Sequence, residues 1–124
     1  MSRAPYHPSR EQIELPLVLD CLSDPIRLAI VYNLALVDRT EGELRCGDFQ
    51  GLSGKSNLAY HFARLREAGL VQTRLVGTAR YMSLRRADLD ARFPGLLDAI
   101  IGSAARDAAR LQMPACAAAA AADG

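Results

Sequence analysis

Apolar residues recur at helical spacing in several stretches of the chain, and two of these stretches are separated by a short run patterned as a hairpin. Ile26, Ile30, Leu34 and Val37 stand at i, i+4, i+8 and i+11, the core-facing stripe of a helix running to about Val37. Ser23-Asp24-Pro25 marks its start: Ser23 or Asp24 caps, and Pro25 sits early, where a missing N–H costs nothing. A second stripe, Leu58, Phe62 and Leu65, belongs to a helix over about 55–68. Small polar residues from Ser53 to Asn57 suit its N-terminus, and Gly69 suits its C-terminus, where only glycine turns left-handed cheaply. Lys55, Asn57, Tyr60, His61 and Arg64 fall largely on its remaining faces. Leu70 to Val76 then reads as a strand, Gly77-Thr78-Ala79 as a turn, and Arg80 to Leu84 as the return strand.

The flanking segments complete the pattern. Arg10 to Leu22 reads as a first helix with Ser9 as N-cap, kinked or divided by Pro16. Asp38 to Gly42 is a polar loop, and Glu43 to Phe49 a short helix burying Leu44 and Phe49. A glycine-rich turn from Gln50 to Gly54 joins it to the longer helix, which makes a helix-turn-helix pair. After the hairpin, Arg85 to Asp90 opens a helical turn that breaks at Phe93-Pro94-Gly95. Pro94 begins a last helix at its first turn, with the stripe Leu96, Leu97, Ile100, Ile101, Ala104, Ala108 and Leu111. The expected fold is mainly α with a small β-hairpin, a winged helix-turn-helix. Residues 10–112 form the domain, 1–9 a flexible tail and 113–124 an alanine-rich tail.

Length and composition fit this architecture. A chain of 124 residues, 50% hydrophobic and 23% charged, supports one domain with a modest core. No run of 18 apolar residues spans a membrane, and the polar N-terminus, with Pro5 and Pro8, is no secretory signal, so the cytoplasm is the expected compartment. Charge changes the picture through its distribution. The net charge is only +1, yet residues 53–92 hold eight basic against three acidic side chains. That excess, centred on the second helix and the hairpin, suits a polyanionic partner. Enzymatic chemistry finds no footing: no nucleophile–base pair and no carboxylates paired near a His stand out. Gly51-x-x-Gly54-Lys55-Ser56 lacks the four-residue spacer of a phosphate-binding loop.

The run Ser56 to Val71, with Leu65-Arg66-Glu67-Ala68-Gly69-Leu70-Val71 as its most specific part, and Asp24-Pro25-Ile26-Arg27 upstream resemble the ArsR/SmtB-type family of bacterial repressors. The resemblance covers roughly residues 15–100 and implies a homodimer joined through its terminal helices, with Ile13, Leu15 and Leu17 as interface residues of the first helix. It also implies double-stranded DNA as partner, read by the helix near 55–68 and the wing near 71–84. Lys55, Ser56, Asn57, Tyr60, His61 and Arg64 are the candidate contacts of the helix, and Arg74 and Arg80 those of the wing. Asn57 suits adenine, and the helix N-terminus suits phosphate. His61 gains weight because this spot on the matching helix is commonly His. Arg27 matches the arginine of the family's D-P-x-R pattern, a structural or phosphate-contacting position. Two copies would read a palindrome with half-sites roughly 34–36 Å apart.

The sequence departs from the metal-sensing members. Their short helix reads E-L-C-V-C-D-L; here Glu43 to Phe49 replaces both cysteines and places Cys46 between them, and the last helix has no His. No metal or other cofactor is therefore expected. Cys21, Cys46 and Cys116 remain candidates for thiol sensing, with small core residues as the alternative for Cys21 and Cys46. A winged-helix module for protein contact, without specific DNA readout, is the competing functional reading. The sequence names no inducer.

Overall fold

The structure, a computed structural model, describes residues 5–38, 43–49 and 51–111. Its central element, α2 (Pro25–Asp38), starts where Asp24 makes it start. The Asp24 carboxylate accepts from the N–H groups of Ile26 and Arg27, at 2.8 and 3.1 Å, and Pro25 fills the first helical position. Ile30, Val31 and Leu34 are fully buried, and the helix touches α1 (Leu15–Leu22), α3 (Lys55–Glu67), α5 (Leu96–Leu111) and the sheet. Burial on more than one side also takes in Asn33, whose amide donates to the Ala29 carbonyl at 2.7 Å.

The expected first helix is divided rather than kinked. A 3-10 turn occupies Arg10–Gln12, opened by Ser9, whose N–H donates to the Gln12 side chain at 2.8 Å. Helix α1 then begins at Leu15 with Pro16 in its first turn, where proline removes no helical bond. Ile13, between the two, is buried inside this chain and is not an exposed interface residue as expected.

The segment Glu43 to Phe49 corrects the expectation of a short helix. Leu44–Arg45 is a strand, β1, and only Cys46–Phe49 is helical, as a 3-10 turn. With the hairpin strands β2 (Val71–Val76) and β3 (Ala79–Leu84), β1 builds a three-stranded antiparallel sheet in the order β1-β3-β2. Leu44 faces Met82, and Thr73 faces Met82 from the other side. Leu44 and Phe49 are buried as expected.

Gly69 joins α3 to the wing. Its φ of 85° lets the Leu70 N–H reach the Leu65 carbonyl at 3.0 Å while its own N–H reaches Arg66 at 3.1 Å. This is the six-to-one, five-to-two closure of a Schellman end, sealed by the buried side chains of Leu65 and Leu70. The hairpin turns at Gly77, φ 60°, with Val76 paired to Ala79. Helix α4 (Arg86–Arg92) ends at Phe93. Pro94 lies outside the last helix rather than in its first turn: α5 begins at Leu96, and Gly95, at φ 84°, accepts from the Ala99 N–H. The alanine-rich tail expected over 113–124 lies outside the described residues.

Residues 6–8 lie against the domain. Pro8 is buried, and the backbone around it is held by side chains of α3 and of the wing's exit. No helix among the described residues is long and apolar enough to cross a membrane.

Candidate nucleic-acid interface

Helix α3 has two unlike faces. Leu58 and Leu65 are buried, and Phe62 packs edge-on against Phe49 with ring centroids 5.6 Å apart. The other face opens with Lys55, Ser56, Asn57, Ala59 and Tyr60, all exposed, with Tyr60 58% exposed. Gly54 is the N-cap and offers no side chain to the first-turn N–H groups, so these donors and the positive helix end stand toward solvent beside Lys55. Asn57 donates to the Ser53 hydroxyl at 3.2 Å in an exposed contact. Arg64 stands 3.7 Å from Glu67, a loose surface pair.

His61 does not share that outer face. It is 7% exposed, and its Nδ1 lies 3.1 Å from the Arg27 guanidinium. A guanidinium has only donors, so Nδ1 accepts and the ring proton sits on Nε2. Burial, against the pull of Asp24 and with the help of Arg27, holds the His61 pKa below its ordinary value, which favours this neutral ring. Arg27 also donates its Nε–H to the Cys21 carbonyl at 2.7 Å. One arginine thus ties the end of α1 and the first turn of α2 to the middle of α3. Helical spacing carried a signal for this: His61 is three residues after Leu58 and four before Leu65, on their stripe.

The sheet register separates the two wing arginines. Direct strand partners share a face, so Arg80, two residues from Met82, points to the α3 side, while Arg74 pairs with Tyr81 on the other. Arg74 is bound to Glu43 at 2.6 Å, and its guanidinium stands 5.0 Å from the Tyr81 ring centre. Arg45 stands at 5.4 Å from the same ring and donates to the Tyr81 hydroxyl at 3.1 Å. Arg80 is exposed, and no carboxylate among the described residues pairs with it or with Lys55.

Much of the remaining positive charge is already engaged. Arg85, its side chain 8% exposed, holds Asp88 at 2.9 Å and donates to the Pro8 carbonyl at 2.7 Å. Arg86 bridges Asp38 and Asp98, at 2.6 and 2.9 Å, and Arg92 donates to the Ile13 carbonyl at 2.6 Å. Arg66 donates to the Tyr6 carbonyl at 2.9 Å. Counting charges along the sequence therefore overstates what a polyanion meets. Sequence reasoning also missed His7, whose Nε2 accepts from the Thr73 N–H at 3.0 Å and so fastens the N-terminal segment to β2. A lone histidine in a polar segment carries no pattern that announces such a bond.

Burial holds Cys21 and Cys46 toward the protonated thiol. Burial pushes Cys21 up to about 11, and burial likewise raises Cys46, with Arg80 opposing it. Cys116 lies outside the described residues. Among the described residues no three His, Cys, Asp or Glu side chains gather into a metal-holding group.

The 3-10 turn Cys46–Phe49, the following turn, helix α3 with its exposed polar face and the adjoining antiparallel hairpin together make a winged helix-turn-helix. No family model matches the chain. It is 36% identical over 85 residues to the "Uncharacterized HTH-type transcriptional regulator YceK" of Bacillus subtilis (strain 168), an alignment covering 67% of this chain and 82% of that protein. The chain belongs to the HTH-type transcriptional regulators, DNA-binding proteins rather than enzymes.

Proposed function

We propose that the chain is an ArsR-type dimeric repressor that reads a palindromic operator in the cytoplasm, with α3 in the major groove and Arg80 of the wing on the flanking backbone. The observation that carries this reading is the exposed surface of Lys55, Ser56, Asn57 and Tyr60, which contains no carboxylate and whose Lys55 lines one cleft with Arg80. Asn57 is the base reader by chemistry, through its two-pronged match to adenine. Tyr60 adds a contact to a base edge or phosphate, and Lys55 with the first-turn N–H groups holds phosphate. Arg64 follows one turn on and can exchange Glu67 for the DNA backbone. Arg74 takes part only by leaving Glu43. His61 acts from behind, fixing the tilt of α3 through Arg27.

Dimerisation finds support in α1. Leu15, Leu17 and Leu19 are exposed there, although they are large and apolar, and a second copy would cover them. The groove between α1 and α5 beside them is lined by Leu19, Leu22, Leu28 and Ile100.

The test is fluorescence anisotropy of the purified chain with DNA from upstream of its own gene and with a scrambled control, across salt concentrations. Selective binding whose affinity falls steeply with salt supports the reading. Equal, weak binding to both DNAs contradicts it and favours a protein-contact module.

A further inference from the structure

We propose that the cleft between α3 and the wing binds a small amphipathic carboxylate, one with an apolar body of one or two rings, and that this ligand competes with DNA. The cleft has a volume of about 380 Å³, within the range of small-molecule sites. Leu58, Ala59 and Phe62 of α3 form its apolar wall, and Thr73 of β2 lies opposite. Lys55, Arg66 and Arg80 surround it, so three cations from two elements converge on one opening. No acidic side chain lines it. Arg66 gives its Nε–H to a backbone carbonyl, and no carboxylate among the described residues neutralises any of the three.

These two halves define the ligand. A phosphodiester would satisfy the cations and leave Ala59 and the accessible part of Phe62, which lie over the buried Leu58, uncovered. A neutral apolar molecule would cover the wall and leave the cations facing a low-dielectric occupant. A carboxylate on an apolar body does both, since guanidinium groups fork onto carboxylate oxygens while the body displaces water from the wall. The regulatory half rests on the DNA reading above: Lys55 and Arg80 belong to both surfaces, so a bound carboxylate neutralises charge that phosphate needs. Coupling of this kind is reciprocal.

The direct test is an amide NMR titration of the full chain with sodium 2-naphthoate, with 2-naphthalenemethanol as the neutral counterpart and inorganic phosphate as the anion without an apolar body. Saturable shifts at Leu58, Phe62 and Thr73, with both controls at least tenfold weaker, are expected. Arg80→Gln, at an exposed position, should weaken naphthoate at least tenfold while its spectrum stays that of the folded chain. Absent shifts, shifts elsewhere, or equal binding of the alcohol overturn the site, and equal binding of phosphate reassigns the cleft to the DNA backbone. In a second arm, saturating naphthoate should weaken DNA binding at least fivefold. Unchanged DNA affinity with naphthoate bound overturns the competition. A chain that binds naphthoate but no DNA refutes the repressor reading and leaves the ligand site standing.

Discussion

Replacing Gly69 with alanine perturbs the point where α3 passes into the wing, and its effect can be worked out from two features. The residue has φ of 85°, a left-handed conformation that costs an L-residue with a Cβ about 1–2 kcal/mol. The new Cβ would also stand 2.5 Å from Cγ1 and 2.9 Å from Cδ1 of Ile13. Ile13 is itself fully buried, so it cannot swing into solvent, and overpacking of this kind costs about 1–3 kcal/mol. Gly69→Ala should therefore destabilise the fold by about 2–5 kcal/mol, against a total of about 5–15 kcal/mol for a domain. The assay is urea unfolding followed by circular dichroism, read as a lower midpoint at unchanged slope. Ile13→Ala separates the two terms, because it removes the atoms that collide and leaves the φ penalty. The double variant should be more stable than the sum of the single effects by about 1–3 kcal/mol. A Gly69→Ala cost below about 1 kcal/mol, or strict additivity with Ile13→Ala, would refute the packing of the 3-10 turn's exit over the end of α3.

Other parts of the account make separate predictions. Arg27→Ala should lower stability by about 1–3 kcal/mol by stranding the Cys21 carbonyl and the buried His61, and weaken DNA binding with no change in salt slope. Lys55→Gln should instead leave stability in place and reduce the slope of log affinity against log salt by about 1 unit; an unchanged slope would show that Lys55 meets no phosphate. The pKa values of His7 and His61 are both held down, chiefly by burial, so the unfolded chain takes up protons first. Stability from these groups is complete above the unfolded value near 6.5 and declines as pH falls through the lower folded values; thermal melts at descending pH should show this, with a shallower decline in His7→Gln. Asp88 is held below the usual carboxylate range by its hydrogen bond from Arg10 and, against the opposing effect of burial, by Arg85. Its contribution is present above about 3.8 and is lost as pH falls through the folded value, so Asp88→Ala should cost about 1–3 kcal/mol at neutral pH and approach wild type in strong acid. In Cys116→Ser, the remaining thiols should react with iodoacetamide at pH 7.5 far more slowly than a free peptide thiol; an equal rate would reopen Cys21 or Cys46 as a sensor.

The parts of the fold that were legible in the sequence are those decided locally. Asp24-Pro25 and Gly69 act through their own backbone chemistry, and the structure starts one helix and ends another there. The hairpin is legible because Gly77 separates two strand-like runs. The strand Leu44–Arg45 was not, because two residues carry no period and its pairing is set by β3, 38 positions away at Leu44↔Met82. The exposed surface of the candidate site was legible in outline, since the small and polar residues at the start of α3 are exposed. His61 was read onto the wrong face because its polarity was given more weight than its position. Arg74 and Arg80 looked alike in sequence, and only the register and the position of Glu43 tell them apart. Docking of residues 6–8 depends on bonds to Arg66, Thr73 and Arg85, contacts spanning at least 60 residues that no local pattern encodes.

The most direct test of the central claim is the affinity of an Asn57→Ala, Tyr60→Ala double variant for upstream DNA, measured by anisotropy beside wild type at one salt concentration. Both residues are exposed, so the fold should persist, and each lost base contact is worth about 1–3 kcal/mol. The account predicts a loss of at least tenfold on the specific DNA and little change on scrambled DNA. Equal affinity of variant and wild type for the specific DNA, with unfolding midpoints unchanged, would contradict it and remove α3 as the reading element.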